Sequence, residues 1–141
     1  MSARGSVVSR LHHIGMVVED VQAAAAQYRR WFGFAPSRRL VVDPVQQVRT
    51  LFLQTGQSVL LELVEPLSTT SPVARFLNQR GGLHHLCYEV QDLERALETF
   101  RRQGALVVRQ PVPAVAFRGR QIAFVYGEGQ QLIELLEAPN R

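Results

Sequence analysis

Lysine is absent, and all 16 basic residues are arginine. Without a lysine ammonium the chain can run no Schiff-base chemistry and holds neither a P-loop lysine nor a kinase-type lysine, so several enzyme classes drop out before any motif is read. Cysteine is nearly absent too, Cys87 standing alone. That excludes an internal disulfide and a cysteine-rich structural zinc site, and it agrees with a reducing compartment. No apolar run reaches the roughly 18 residues of a membrane span, and no apolar segment follows Arg4 as a secretory leader would require. The expectation is therefore a cytoplasmic address with no membrane partner. The arginines leave a net charge of +4 and a pI of about 10.2. They fall in ones and twos, read as solvated surface charge, and give no reason to expect a nucleic-acid partner. A basic surface of this kind favours anionic ligands, phosphate-bearing ones included.

What is present is a chain of 141 residues, 46% hydrophobic and 20% charged, which is the make-up of one ordinary globular domain. Its decisive feature is an internal repeat. Residues 11–20 read LHHIGMVVED, and residues 83–92, 72 positions later, read LHHLCYEVQD. The same spacing carries Glu62 of LLELVEP onto Glu134 of LIELLEA, Glu65 onto Glu137 and Tyr28 onto Phe100. A register kept over most of each half marks two copies of one module. Module 1 is expected at about 10–70, a linking helix at about 71–81 and module 2 at about 82–138, within one domain spanning 1–141.

Each copy reads as a strand, a helix and three strands. In the first, alternation over 11–18 predicts a strand, and Asp20 caps a helix whose apolar positions Val21, Ala24, Tyr28 and Trp31 or Phe32 recur at helical spacing up to Gly33. Strands follow at 38–42, 48–54 and 59–65, separated by Asp43-Pro44 and Thr55-Gly56 turns. The second copy gives a strand at 84–90, a helix from Asp92 to Gly104, and strands near 106–109, 120–126 and 131–137. Ser71 as N-cap and Pro72 at the first helical position predict the linking helix over 72–80, stopped by Gly81-Gly82. Tyr28, Trp31, Phe32 and Phe100 are expected in the core. The proline-bearing stretch 110–120 is expected to be a fixed apolar loop beside the pocket, with Arg118 or Arg120 meeting an anionic substrate group.

Side-chain direction turns four positions into one candidate site. Strand residues two apart share a face, so His13 points with Gly15 while His12 points away, and His85 and His84 divide in the same manner. Glu62 and Glu134 each sit inside an apolar strand, where an ionised carboxylate is costly unless something positive or hydrogen-bonding meets it. Taken singly, each of the four is an ordinary strand residue. Their joint recurrence at one spacing points to a metal, since one His and one Glu from each repeat make a nitrogen and oxygen ligand set for a divalent first-row transition ion. One such ion per chain is expected, with cobalt, nickel, manganese, zinc and iron left open. His12 and His84 are then packing residues, and Glu65 and Glu137 solvent or loop contacts.

The phrases LHHIGMVVEDV, LLELVEPL followed by SPVARFLNQRGGLHHLCYEV, and QLIELLE carry a family resemblance. Over residues 10–138 the chain resembles the vicinal oxygen chelate superfamily and, within it, the methylmalonyl-CoA epimerase family. The resemblance implies an α+β fold in which two tandem βαβββ modules pair into a concave mixed β-sheet with helices outside. It implies a metal held by His13, Glu62, His85 and Glu134, an acyl-CoA thioester substrate and a homodimer. It further implies two bases, a metal-bound glutamate and a glutamate just before the third strand. Glu134 matches the first. At the second, the chain reads Asp43-Pro44-Val45-Gln46, so Val45 or Gln46 stands where the glutamate is expected and Asp43 is the nearest carboxylate.

The expected activity is that of a metal-dependent epimerase or isomerase removing the proton α to a thioester carbonyl. A glyoxalase-I-like lyase acting on a hemithioacetal is the alternative, and a ligand-binding or resistance protein of the same fold is a third. An extradiol dioxygenase fits less well, because its two histidines and one carboxylate leave no role for Glu62.

Overall fold

The structure, a computed structural model, describes residues 7–139, so the stretch around Arg4 lies outside it. The element order is β1 (Val8–Val17), α1 (Val21–Phe32), β2 (Ala35–Pro36), β3 (Val41–Asp43), β4 (Val48–Gln54), β5 (Leu60–Pro66), α2 (Ala74–Gln79), β6 (Gly82–Val90), α3 (Leu93–Arg102), β7 (Leu106–Pro113), β8 (Gln121–Tyr126) and β9 (Leu132–Glu137). This is a mixed α+β protein with nine strands and three α-helices among the described residues, and the strand–helix–strands order occurs twice. The chain divides into two compact units, His13–His84 and the residues up to His12 taken with those from His85 onward.

In the unit His13–His84 the strand order is β2-β4-β5-β1, with β3 also on β4. β1 runs parallel to β5, and the other pairs are antiparallel. Alternation places Leu51, Leu53, Leu61 and Leu63 on one face, where they form a core with Val21 of α1. Val17, Val48 and Val64 lie on the other face and pack with Phe76 and Leu77 of α2. Helix α1 starts where Asp20 accepts from the Gln22 and Ala23 amides at 2.9 and 3.0 Å, and it ends at Gly33, whose φ of 74° closes the last turn.

The other unit repeats the scheme. Its order is β6-β9-β8-β7, with β6 parallel to β9 and the rest antiparallel. Val90, Leu97, Ala123, Val125 and Leu135 make the core under α3, and Asp92 caps that helix through the Arg95 amide.

Several local expectations are corrected. Trp31 and Phe32 are not core: they are 67% and 59% exposed, because the last turn of α1 runs past the edge of the leucine face that Val21, Ala24 and Tyr28 cover. Helix α2 begins after Val73, and Ser71 instead makes a turn in which its carbonyl accepts from Ala74 and its hydroxyl from Val73. Residues 110–113 continue β7 through two register shifts, since prolines at 111 and 113 are tolerated on the last strand in the order. A two-residue strand, β2, is added before β3.

Candidate functional site

Three strands of the unit His13–His84 converge on Glu62. In register it lies beside Gly15 of β1 and beside Phe52 of β4. His13, two residues before Gly15, shares that face, which is the face turned away from the leucine core of α1. Its Nε2 stands 3.3 Å from Oε1 of Glu62, and its ring meets Phe52 edge-on at 5.1 Å. His13, Phe52 and Glu62 are all buried.

The other unit builds the same triplet 72 residues later. Glu134 lies beside Cys87 of β6 and Phe124 of β8, the positions equivalent to Gly15 and Phe52. His85 Nε2 is 3.1 Å from Glu134 Oε1, and its ring meets Phe124 edge-on at 5.9 Å. The repeat in sequence is therefore a repeat in strand register, and both His–Glu pairs are buried.

The donor chemistry fits a divalent metal. Imidazole nitrogen and carboxylate oxygen are the ligands that borderline first-row ions take, with bonds of about 2.0–2.2 Å that set neighbouring ligands about 3 Å apart. The two observed N–O separations match that spacing. Each imidazole packs edge-on against a phenyl ring, which restricts the plane in which it presents its nitrogen.

The other predicted residues have definite places. His12 packs edge-on against Phe117 and His84 against Phe76, as expected of packing residues. Asp43 is buried in its own turn: Oδ1 accepts from the Val45 and Gln46 amides, both at 3.0 Å, and Oδ2 from the Gln46 side chain at 3.3 Å. Val45 is 64% exposed. Arg118 is exposed and closes a short 3₁₀ turn over 115–117 with φ 54°. Arg120 donates to the Glu137 carbonyl and to the carboxylate of Glu89, which Arg10 also approaches. Glu65 is no solvent contact, since it accepts from the Val21 amide at the start of α1 and pairs with Arg49.

Two features escape a reading of the sequence alone. Phe52 and Phe124 share the 72-residue spacing, and that signal was available to place them with the histidines. Arg38 had no such signal; its guanidinium lies over the Phe52 ring, 4.7 Å from the centroid.

Comparison with known proteins is consistent throughout. A model of the Glyoxalase/Bleomycin resistance protein/Dioxygenase superfamily matches residues 12–124. The ethylmalonyl-CoA/methylmalonyl-CoA epimerase of Cereibacter sphaeroides is 36% identical over 125 residues, covering 85% of this chain and 90% of that one. The crystal structure of methylmalonyl-CoA epimerase from Mycobacterium tuberculosis matches with a TM-score of 0.87 at 30% identity, over 99% of this chain and 94% of that one. A Streptomyces coelicolor methylmalonyl-CoA epimerase in complex with 2-nitronate-propionyl-CoA matches with a TM-score of 0.82 at 26% identity, over 94% of this chain and 99% of that one.

Proposed function

This chain belongs to the glyoxalase/bleomycin resistance/dioxygenase superfamily, and on that premise we propose that it is a metal-dependent epimerase removing the proton α to a thioester carbonyl, with methylmalonyl-CoA as its substrate. The observation that carries the reading is the duplicated His–Glu pair, buried and in identical strand register in both halves. In this reading His13, Glu62, His85 and Glu134 together hold one divalent ion. Held there, such an ion would supply Lewis-acid stabilisation of the negative charge that develops when the α-proton leaves.

The remaining work falls to the chain. Glu134 accepts the α-proton, because a buried carboxylate beside an imidazole keeps a fixed lone pair and has lost the water that would blunt it. Asp43 is a poor second base, since both of its oxygens brace the 43–46 turn. The proton then returns from solvent, not from a second carboxylate at that turn. The same observation favours one second reading, a glyoxalase-I-like lyase, in which a single base moves a proton along one face.

Incubation in deuterated water with methylmalonyl-CoA and, separately, with a hemithioacetal decides between them. Deuterium entering the α-carbon of the thioester supports the epimerase, turnover of the hemithioacetal alone supports the lyase, and inertness toward both defeats the proposal. A homodimer is part of the same proposal on the strength of the family resemblance, and light scattering of the purified protein tests it; a cytoplasmic address is proposed with it, in keeping with the lone Cys87.

A further inference from the structure

We propose that Thr50 is a positioning residue for the metal, its buried hydroxyl donating to the carboxylate of Glu62 when that carboxylate holds the ion. Thr50 lies on β4 two residues before Phe52, and Phe52 pairs directly with Glu62 across β4 and β5, so all three side chains stand on one face. Thr50 itself pairs with Val64, which makes Glu62 its diagonal neighbour, at the roughly 7–8 Å that a long side chain can span. Thr50 is 5% exposed, and no donor or acceptor among the described residues meets its Oγ1.

A buried hydroxyl in that state costs stability, and the module does not require one there. At the same register in the other unit stands Ile122, 1% exposed and paired with Leu136 as Thr50 is with Val64. Glu62 and Glu134 therefore share their directly paired neighbours but not this one. A carboxylate that ligates an ion through one oxygen keeps lone pairs for an outer donor, and such donors fix the ligand and raise metal affinity. Rotation about the torsions of the Glu62 side chain closes the gap to the hydroxyl. The other carboxylate one diagonal step from Thr50, Asp43, is taken up by the Val45 and Gln46 donors of its own turn.

This inference rests on the reading that His13, Glu62, His85 and Glu134 hold an ion. The test loads purified protein with zinc or cobalt, competes the metal off with a chromophoric chelator, and measures melting temperature in excess chelator alongside. Thr50→Val removes the hydroxyl with little change of shape, and Thr50→Ser keeps it. The expected result is that Thr50→Val holds the metal about tenfold more weakly while Thr50→Ser stays within about threefold of wild type. In excess chelator Thr50→Val should melt at or above the wild-type temperature, since the hydroxyl makes no bond in the fold itself. In a Glu62→Ala background Thr50→Val should weaken the metal no further, because the hydroxyl has lost its acceptor. Unchanged affinity in Thr50→Val, a serine variant as weak as the valine, or the same loss with Glu62 removed would overturn the proposal. So would a melting temperature in chelator several degrees below wild type, which would give the hydroxyl to the fold and not to the site. Wild-type protein that retains neither ion overturns the metal reading and this inference with it.

Discussion

Removing the Glu65 carboxylate should loosen helix α1 from the strand that carries Glu62. Oε1 of Glu65 accepts from the Val21 amide at 2.8 Å, and Oε2 pairs with Arg49. The amide is one of the donors that helix geometry leaves without an internal partner, and Val21 is fully buried with the carboxylate in place. Stranding such a donor costs about 1–3 kcal/mol. The ion pair adds little: the Arg49 side chain is 39% exposed, and a pair so open to solvent is worth about 0–1 kcal/mol. Glu65→Ala should therefore cost about 2–3 kcal/mol, and Glu65→Gln, whose amide oxygen still accepts from Val21, about 1 kcal/mol or less. For a chain of this length each kcal/mol moves Tm by about 2–4 °C. Urea denaturation followed by circular dichroism measures both variants, and an unchanged m-value confirms that the native state is comparable. An alanine variant within about 0.5 kcal/mol of wild type, or a glutamine variant as damaged as the alanine, would refute the capping role.

Three further outcomes concern the site. Elemental analysis should find about one divalent ion per chain, lost in both His13→Ala and His85→Ala; full metal in both variants would sink the ligand assignment. Glu134→Gln should retain part of the metal, because an amide oxygen can still coordinate, while α-proton exchange falls much further; exchange that tracks metal content would deny Glu134 the role of base. Asp43→Asn should cost about 1 kcal/mol of stability through its turn and leave exchange nearly intact, and abolished exchange in a folded, metal-loaded variant would make the aspartate the second base.

Most of the fold was legible because the signals were local and doubled. Asp20, Gly33, Asp92 and Gly104 bound α1 and α3 much as cap chemistry predicts, and the alternation in LHHIGMVV and LLELVE marks strands whose pairing follows from the repeat. What the sequence hid depends on where a helix ends relative to a sheet. Trp31 and Phe32 continue the apolar pattern of α1, yet periodicity carries no information on whether a face is still covered one turn later. Glu65 was misread for a related reason. Strand parity places it opposite Glu62, and only the docking of α1 makes that face a helix N-terminus. Arg38 opens the expected strand 38–42, of which only Val41 and Val42 fall in β3, so alternation gave no guide to its place on Phe52, which the Ser37 anchor sets.

The two halves agree where an ion would need them to and differ where a substrate with unlike ends would. His, Glu and the bracing phenylalanine recur without a shift, and even the flanking register is kept, Gly15 beside Glu62 and Cys87 beside Glu134. Away from these the copies part. Glu65 latches α1, whereas the equivalent Glu137 offers Arg120 its backbone carbonyl. Arg38 is stacked on Phe52 in the first half, while position 110, 72 residues later, is a glutamine held by Arg101. Because the duplicated register gives Glu62 and Glu134 matching neighbours, the choice of Glu134 as base rests on its match to the metal-bound glutamate of the epimerase family, and α-proton exchange compared in Glu62→Gln and Glu134→Gln tests that choice.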